Sequence, residues 1–282
     1  MKIRLDKLLV DRAMVTSRER AQALILAGRV MVAEQKVDKP GASVPVDAAL
    51  RILGDDLKYV SRGGLKLEGA LRDFDISVAG LACADIGAST GGFTDCMLQQ
   101  GATSVLAVDT GYGQIAHSLR VDPRVTLLER TNARLLQPGQ LVEYQTSLTM
   151  NEPCHPDLEL VEREGPASAP ADLSAKTHRI SFFAMDVSFI SATLVIPAVL
   201  SALATAGERW HGEAVILVKP QFEAGREHVG KGGIVRDPAA HQLAIKRLQT
   251  SVTENGGTPV ALIDSPILGT EGNKEFLLHA RF

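Results

Sequence analysis

The sequence predicts an α/β protein, an open parallel sheet covered by helices on both faces, preceded by a small basic α+β domain. Three observations carry this. From Leu81 onward, apolar runs of strand length fall at 82–86, 104–109, 125–128, 180–186, 213–219, 258–263 and 275–282, alternating with helical segments near 91–100, 190–206 and 237–254. The first of these strands runs into a glycine-rich turn, and the second ends on an acid. Charge is the third: residues 1–72 hold 14 Lys and Arg against 9 Asp and Glu, a net of +5, so the overall −3 leaves −8 for the remainder. A basic module joined to an acidic one suits a first domain that touches a polyanion.

Length and composition set the outer bounds. A chain of 282 residues accommodates one large domain and one small one, and 45% hydrophobic with 22% charged residues is ordinary for a globular protein. Cys83, Cys96 and Cys154 form no C-x-x-C pair, which argues against a disulfide framework or a zinc site and for a reducing compartment. Cys83 and Cys96 read as core filler, Cys154 and His155 as incidental loop residues. Charges at Lys2, Arg4, Asp6 and Lys7 do not fit a signal peptide. The uncharged stretch Val187–Gly207 contains Pro197 and five Ser or Thr residues, so it reads as a buried helix rather than a membrane span. A cytoplasmic protein is expected.

Residues 1–60 make the first domain. Leu5, Leu8 and Leu9 share one face of a short helix. Ser17 caps a second helix whose Ala21, Leu24 and Ile25 form an apolar stripe and whose stop is Gly28. Short strands follow at Arg29–Val32 and around Val44 and Ile52. Arg4, Lys7, Arg18, Arg20 and Arg29 decorate the helix pair, and guanidinium groups on a rigid scaffold suit phosphate contacts. Arg4-Leu5-Asp6-Lys7-Leu8-Leu9, Ser17-Arg18-Glu19-Arg20-Ala21 and Ala27-Gly28-Arg29-Val30 resemble the RNA-binding module of ribosomal protein S-four and the pseudouridine synthases. Residues 61–80 read as a junction, bent at Gly63-Gly64, with Leu67, Leu71 and Phe74 spaced to pack on the second domain.

Residues 81–282 make that second domain. After the strand at 82–86, the turn carries Asp85, Gly87, Ala88, Ser89, Gly91, Gly92 and Phe93. Glycines there allow φ > 0 and close approach of a ligand, and the helix start near Gly91 offers free N–H donors. The dinucleotide pattern G-x-G-x-x-G is absent; D-x-G-x-x-x-G-G-F looks instead like an S-adenosylmethionine site. Asp109, ending the next strand, suits a ribose hydroxyl pair. Residues 143–178 break the rhythm with four prolines and 7 acids against 2 bases, the composition of a flexible acidic insertion. Two later strands end on Asp186 and Lys219, one an acid and the other a lysine, in one predicted crevice. Desolvation at a strand mouth lowers a lysine pKa, whereas a neighbouring carboxylate orients the ammonium and opposes that shift, so Lys219 suits a base or a donor toward a hydroxyl.

Together these segments, with Ser61-Arg62-Gly63-Gly64-Leu65-Lys66, Asp186-Val187-Ser188-Phe189-Ile190-Ser191 and Lys219-Pro220-Gln221-Phe222-Glu223, closely resemble the TlyA (hemolysin A) family. The resemblance implies a Rossmann-like, FtsJ-like methyltransferase that uses S-adenosyl-L-methionine to methylate a cytidine ribose 2′-hydroxyl in ribosomal RNA, alone or within ribosomal subunits. It implies a catalytic tetrad of Lys66, Asp186, Lys219 and Glu275, a cofactor loop from Asp85 to Phe93, Asp109 on the ribose and Asn132 facing the adenine. A non-catalytic RNA-binding factor with a vestigial pocket is the alternative, which cofactor binding distinguishes. A cytolysin needs export and membrane-insertion signals, and no such segment is recognisable.

Overall fold

A computed structural model of the chain describes residues 2–15, 17–26, 28–53, 58–142, 179–269 and 271–282. They fall into two compact units, Met1–Leu57 and Lys58–Phe282. The expected acidic insertion at 143–178 lies outside the described residues.

In the first unit β1 (Lys2–Arg4) runs straight into α1 (Leu5–Asp11), and α2 (Arg18–Leu26) follows. The Ser17 hydroxyl accepts the Arg20 backbone N–H at 3.2 Å, capping α2, and Gly28 at φ +64° takes the left-handed stop. Four strands complete the unit: β2 (Val30–Val32), β3 (Gln35–Val37), β4 (Ser43–Pro45) and β5 (Leu50–Ile52). They pair as two antiparallel sheets, β1–β4 and β3–β2–β5. Leu5, Leu8, Leu9, Ala21, Leu24 and Ile25 form the core. The pairing of β1 has no sequence signal, because three residues are too few to show a period of two.

The second unit begins with α3 (Gly63–Asp73), whose Leu67, Ala70 and Leu71 are buried in its core. The segment expected as a junction is therefore an integral helix. There follow β6 (Ala82–Ile86), α4 (Gly92–Gln99), β7 (Ser104–Val108), α5 (His117–Arg120), β8 (Val125–Leu128) and β9 (Ile180–Met185). Next come α6 (Ile196–Leu203), β10 (Glu213–Val218), α7 (Pro220–Glu223), α8 (Pro238–Glu254), β11 (Thr258–Asp264) and β12 (Phe276–Arg281). Alternate residues of the strands face opposite layers. Ala84, Ile86, Phe183 and Ile216 pack with α6 and α8, whereas Cys83, Phe182, Ala184 and Val215 pack with α3 and α4. The helix expected over 190–206 is shorter, because a 3-10 turn at Ala192–Leu194 precedes α6, and Pro197 sits in its first turn, where a missing N–H costs nothing.

The seven strands lie in the order β11-β12-β10-β9-β6-β7-β8. The wholly parallel sheet expected from alternation is corrected at one strand: β12 runs antiparallel to both β10 and β11. The described residues of 265–275, the connection from β11, hold no helix to make a crossover, and the chain turns back beside its predecessor. This reversal has a consequence for the site. The carboxyl ends of β6, β7, β9 and β10 share one edge, and β12 brings its amino end to that same edge, with Phe276 opposite Val218.

Candidate active site

Residues that follow the strand ends line two adjoining cavities at this edge, which share Gly87, Ser89, Asp186 and Ser188. One, of about 480 Å³, is lined by Arg62, Lys66, Asp85, Phe93, Lys219 and Glu275 among others. Its neighbour, of about 370 Å³, takes in Asp109, Gln114, Asn132 and Phe189. A separate cavity of about 760 Å³ beyond Glu223, walled by Lys246 and Arg247, contains none of the strand-end residues.

The four tetrad positions meet in the first cavity as two ion pairs. Lys66 Nζ donates to Glu275 Oε2 at 2.5 Å, both side chains being buried. Lys219 Nζ lies 2.5 Å from Asp186 Oδ1 and donates to Ser188 Oγ at 2.7 Å. The contact with Asp186 is a close ion pair rather than an aligned hydrogen bond, so Asp186 Oδ1 keeps an acceptor site. Register explains the convergence: Lys219 and Glu275 are the next positions beyond the paired Val218 and Phe276.

The glycine-rich turn is built around Asp85, which has no exposed surface. Its Oδ2 accepts the Thr94 N–H at 2.8 Å and the Thr94 hydroxyl at 2.6 Å, while Oδ1 has no partner among the described residues. Burial pushes this carboxyl up to about 7; the Thr94 bonds oppose the rise, and the charges of Asp186 and Asp109 add to it. Gly87, at φ +90°, passes so close to the β9 end that an added Cβ would sit 2.4 Å from the Asp186 carbonyl oxygen. Gly92 packs against the start of α3, where a Cβ would meet Ser61 Oγ at 2.3 Å. Gly91 departs from the close-approach reading: it lines neither cavity. Its φ is +92°, and a Cβ there would strike Leu119 Cδ1 at 2.3 Å, so its need for glycine is conformational.

In the second cavity both Asp109 oxygens accept backbone N–H groups, Oδ2 from Ser89 at 2.8 Å and Oδ1 from Gly111 at 2.6 Å. Those bonds fix the carboxylate while leaving lone pairs for a ligand hydroxyl. Asn132 lines the same cavity; its Oδ1 accepts the Arg134 N–H at 3.1 Å, which turns its amide N–H groups to other partners. Ala88 and Phe93 line the Lys66 side of the turn.

The profile of the FtsJ-like methyltransferase family matches residues 59–282, and that of the S4 domain matches residues 3–49. The chain belongs to the FtsJ-like methyltransferases, in the TlyA (hemolysin A) family. The 16S/23S rRNA (cytidine-2′-O)-methyltransferase TlyA of Mycobacterium tuberculosis is 38% identical over 99% of this chain and 89% of its own length. Hemolysin A of Brachyspira hyodysenteriae is 36% identical over 98% of this chain and 99% of its own. A solved Streptococcus thermophilus structure, provisionally described as a hemolysin, superimposes with a TM-score of 0.66 at 38% identity, over 99% of this chain and 88% of that one. Among the described residues, no helix of this family member is long and apolar enough to cross a membrane, and no group of residues could hold a metal ion.

Three residues around these cavities carry no signal in the sequence. Ser188, the hydroxyl partner of Lys219, follows the strand-ending acid like any loop serine. Thr94, which holds Asp85, looked like an ordinary helix residue. Phe189 is 93% exposed with φ +65°, its ring 5.6 Å from that of Phe222. An exposed phenylalanine in a left-handed conformation is costly, and no spacing in the sequence announces it.

In the S4 unit the five predicted cations are placed differently from one another. Lys7 is exposed, and Arg20 is half-buried. Arg29 turns inward, its Nε donating to the Leu53 carbonyl at 2.8 Å. Arg4 and Arg18 both bind the buried carboxylate of Asp6.

Proposed function

We propose that this chain methylates the ribose 2′-hydroxyl of a cytidine in ribosomal RNA, using S-adenosyl-L-methionine, with the S4 unit gripping the RNA. The observation that carries the reading is the convergence of Lys219, Asp186, Lys66 and Glu275 in the cavity that also holds the unpartnered Asp85 Oδ1. The M. tuberculosis relative, similar over nearly the whole chain, bears that activity in its name.

The residues present fit the cofactor. Asp85 Oδ1 is a buried acceptor without a donor, suited to an ammonium, and Asp109 holds acceptor capacity for a ribose. When bound, the cofactor supplies a methyl group activated by positive sulfur. The chain's own residues then position and deprotonate the acceptor. Lys219, fixed by Asp186 and Ser188, directs an N–H at the ribose oxygen. The Lys219–Asp186 pair receives the proton as that oxygen loses it. Lys66 and Glu275 balance charge on the other side of the cavity. Much of the gain comes from holding the hydroxyl in line. An enzyme acting on ribosomal RNA or subunits works in the cytoplasm.

The test uses the full chain, isotopically labelled S-adenosylmethionine, and ribosomal RNA or subunits from cells lacking the gene. Mass spectrometry of digested nucleosides should find label in 2′-O-methylcytidine. Label in another nucleoside, or in none with either substrate, overturns the proposal.

A further inference from the structure

Asp6 is a charged residue with no exposed surface in the small S4 unit, and it lines none of the cavities described above. Its carboxylate accepts Arg4 Nε on Oδ1 at 3.0 Å and Arg4 Nη2 on Oδ2 at 2.9 Å. The same Oδ2 accepts Arg18 Nε at 3.0 Å and Gln22 Nε2 at 3.0 Å, and Oδ1 also takes the Lys7 backbone N–H at 2.9 Å. The Arg4 bonds foremost, with those from Gln22 and Arg18, hold this carboxyl well below the usual range against the cost of burial.

Two arginines from different elements therefore share one carboxylate oxygen, and their bonded nitrogens lie no more than about 6 Å apart. Each side chain remains about half exposed, 52% for Arg4 and 54% for Arg18. A guanidinium has five N–H groups. Asp6 occupies two on Arg4 and one on Arg18, and the rest find no acceptor among the described residues. Free arginines must lose rotamer freedom when they bind; this pair has already lost it.

We infer that Asp6 is a positioning residue that holds Arg4 and Arg18 as a preformed two-guanidinium clamp for an RNA backbone phosphate. The inference rests on the reading of the S4 unit as the RNA grip. A buried ion-pair cluster that merely ties α1 to α2 makes a different forecast. Replacing Asp6 by Asn removes a negative charge from an RNA-binding face, so charge alone tightens RNA binding. The clamp forecasts the opposite sign, because two long side chains must be immobilised anew.

The experiment measures binding of the full-length chain to a ribosomal RNA fragment across a salt series, for Asp6→Asn, Arg4→Ala/Arg18→Ala, and the triple variant. Asp6→Asn should weaken binding by about five- to a hundredfold, the cost of reordering two arginines. It should change nothing further in the Arg4→Ala/Arg18→Ala background. Thermal melting and cofactor binding report whether each variant remains folded. Where Asp6→Asn fails to fold, Asp6→Glu serves: it keeps the charge but displaces the pair, and should also weaken binding. Loss of affinity in the double-arginine variant with unchanged or tighter binding in folded Asp6 variants overturns the clamp alone. Unchanged affinity in the double-arginine variant removes the RNA grip from this face, and the clamp with it.

Discussion

Lys66 and Glu275, 209 positions apart in the chain, meet at 2.5 Å with both side chains buried. Removing one member of such a pair strands a charge in the interior, at about 3–5 kcal/mol. Lys66→Met should accordingly lower stability by that order and abolish methyl transfer. Lys66→Met/Glu275→Leu, which removes both charges, should recover most of the stability and none of the activity. Denaturant unfolding and single-turnover transfer separate the two effects. Recovery of transfer in the double variant would show that this pair holds the fold and has no part in the reaction.

The Lys219 amine makes a sharper case. Lys219→Ala should slow single-turnover transfer by at least about a hundredfold, the lower end of what proton-transfer catalysis supplies. Cofactor and RNA affinity should stay near those of the unaltered chain. Lys219→Arg should not rescue it, because a guanidinium never gives up its proton and its planar fork does not reproduce the bond that the compact ammonium makes to Ser188. Near-normal rates in both variants would remove Lys219 from the mechanism.

Much of this site was legible because its chemistry sits at strand ends, where an apolar run stops on Asp85, Asp109, Asp186 or Lys219. Strand position is written in local hydrophobic patterning; strand direction is not. Glu275 precedes its strand, whereas the other site acids and Lys219 end or follow theirs, and only the antiparallel course of β12 brings it beside Lys219. Alternation alone, read as a parallel sheet, would have left Glu275 at the far edge. Asp6 was hidden for a related reason. Its sequence neighbours suggest an exposed helix start, and its burial depends on Arg18 and Gln22 folding over it from α2. Gly91 was visible as a glycine, but the side chain that demands it, Leu119, lies 28 positions later in another element.

Gly91 should thus behave as a structural residue. With φ +92° and Leu119 Cδ1 2.3 Å from any added Cβ, Gly91→Ala should lower the melting temperature and weaken cofactor binding together. Gly91→Ala/Leu119→Ala, which clears the clash, should recover part of both. Weaker cofactor binding with unaltered melting would return Gly91 to the cofactor surface.

Phe189 stands open to solvent, lining the cavity that takes in Asp109 and Asn132, beside Phe222. A ring held there in a strained backbone conformation is suited to stacking on a base of the RNA. Base–aromatic stacking is worth about 1–3 kcal/mol. Phe189→Ala should raise the KM for RNA, or lower kcat/KM, by the corresponding factor of about 5 to 150, with cofactor affinity unchanged. Phe189→Tyr should retain most of the activity. An equal loss in both variants would count against stacking.

The last expectation concerns pH and Asp85. Its carboxyl titrates near 7 in the fold, chiefly because it is buried, and near 4 when unfolded. Between those values the folded chain holds a proton that the unfolded chain has released. Stability from this group is therefore full below about pH 4 and is lost progressively as pH rises to about 7. Cofactor binding runs the other way. An ammonium presented to the unpartnered Oδ1 favours the ionised carboxylate, so affinity should climb as pH rises toward about 7 and then level off. The climb cannot exceed about tenfold per pH unit for one proton. By about pH 8 the ligand's own amine has lost about half its charge, so the informative window lies below that. Asp85→Asn should bind the cofactor weakly at every pH, with this slope removed, and should flatten the corresponding fall in melting temperature of the ligand-free chain. Calorimetric titration and thermal melting, each run from about pH 5.5 to 7.5 on both chains, provide the measurement. A pH-independent affinity in the unaltered chain would mean that Asp85 is already ionised across this range or, where Asp85→Asn binds equally well, that the ammonium binds elsewhere.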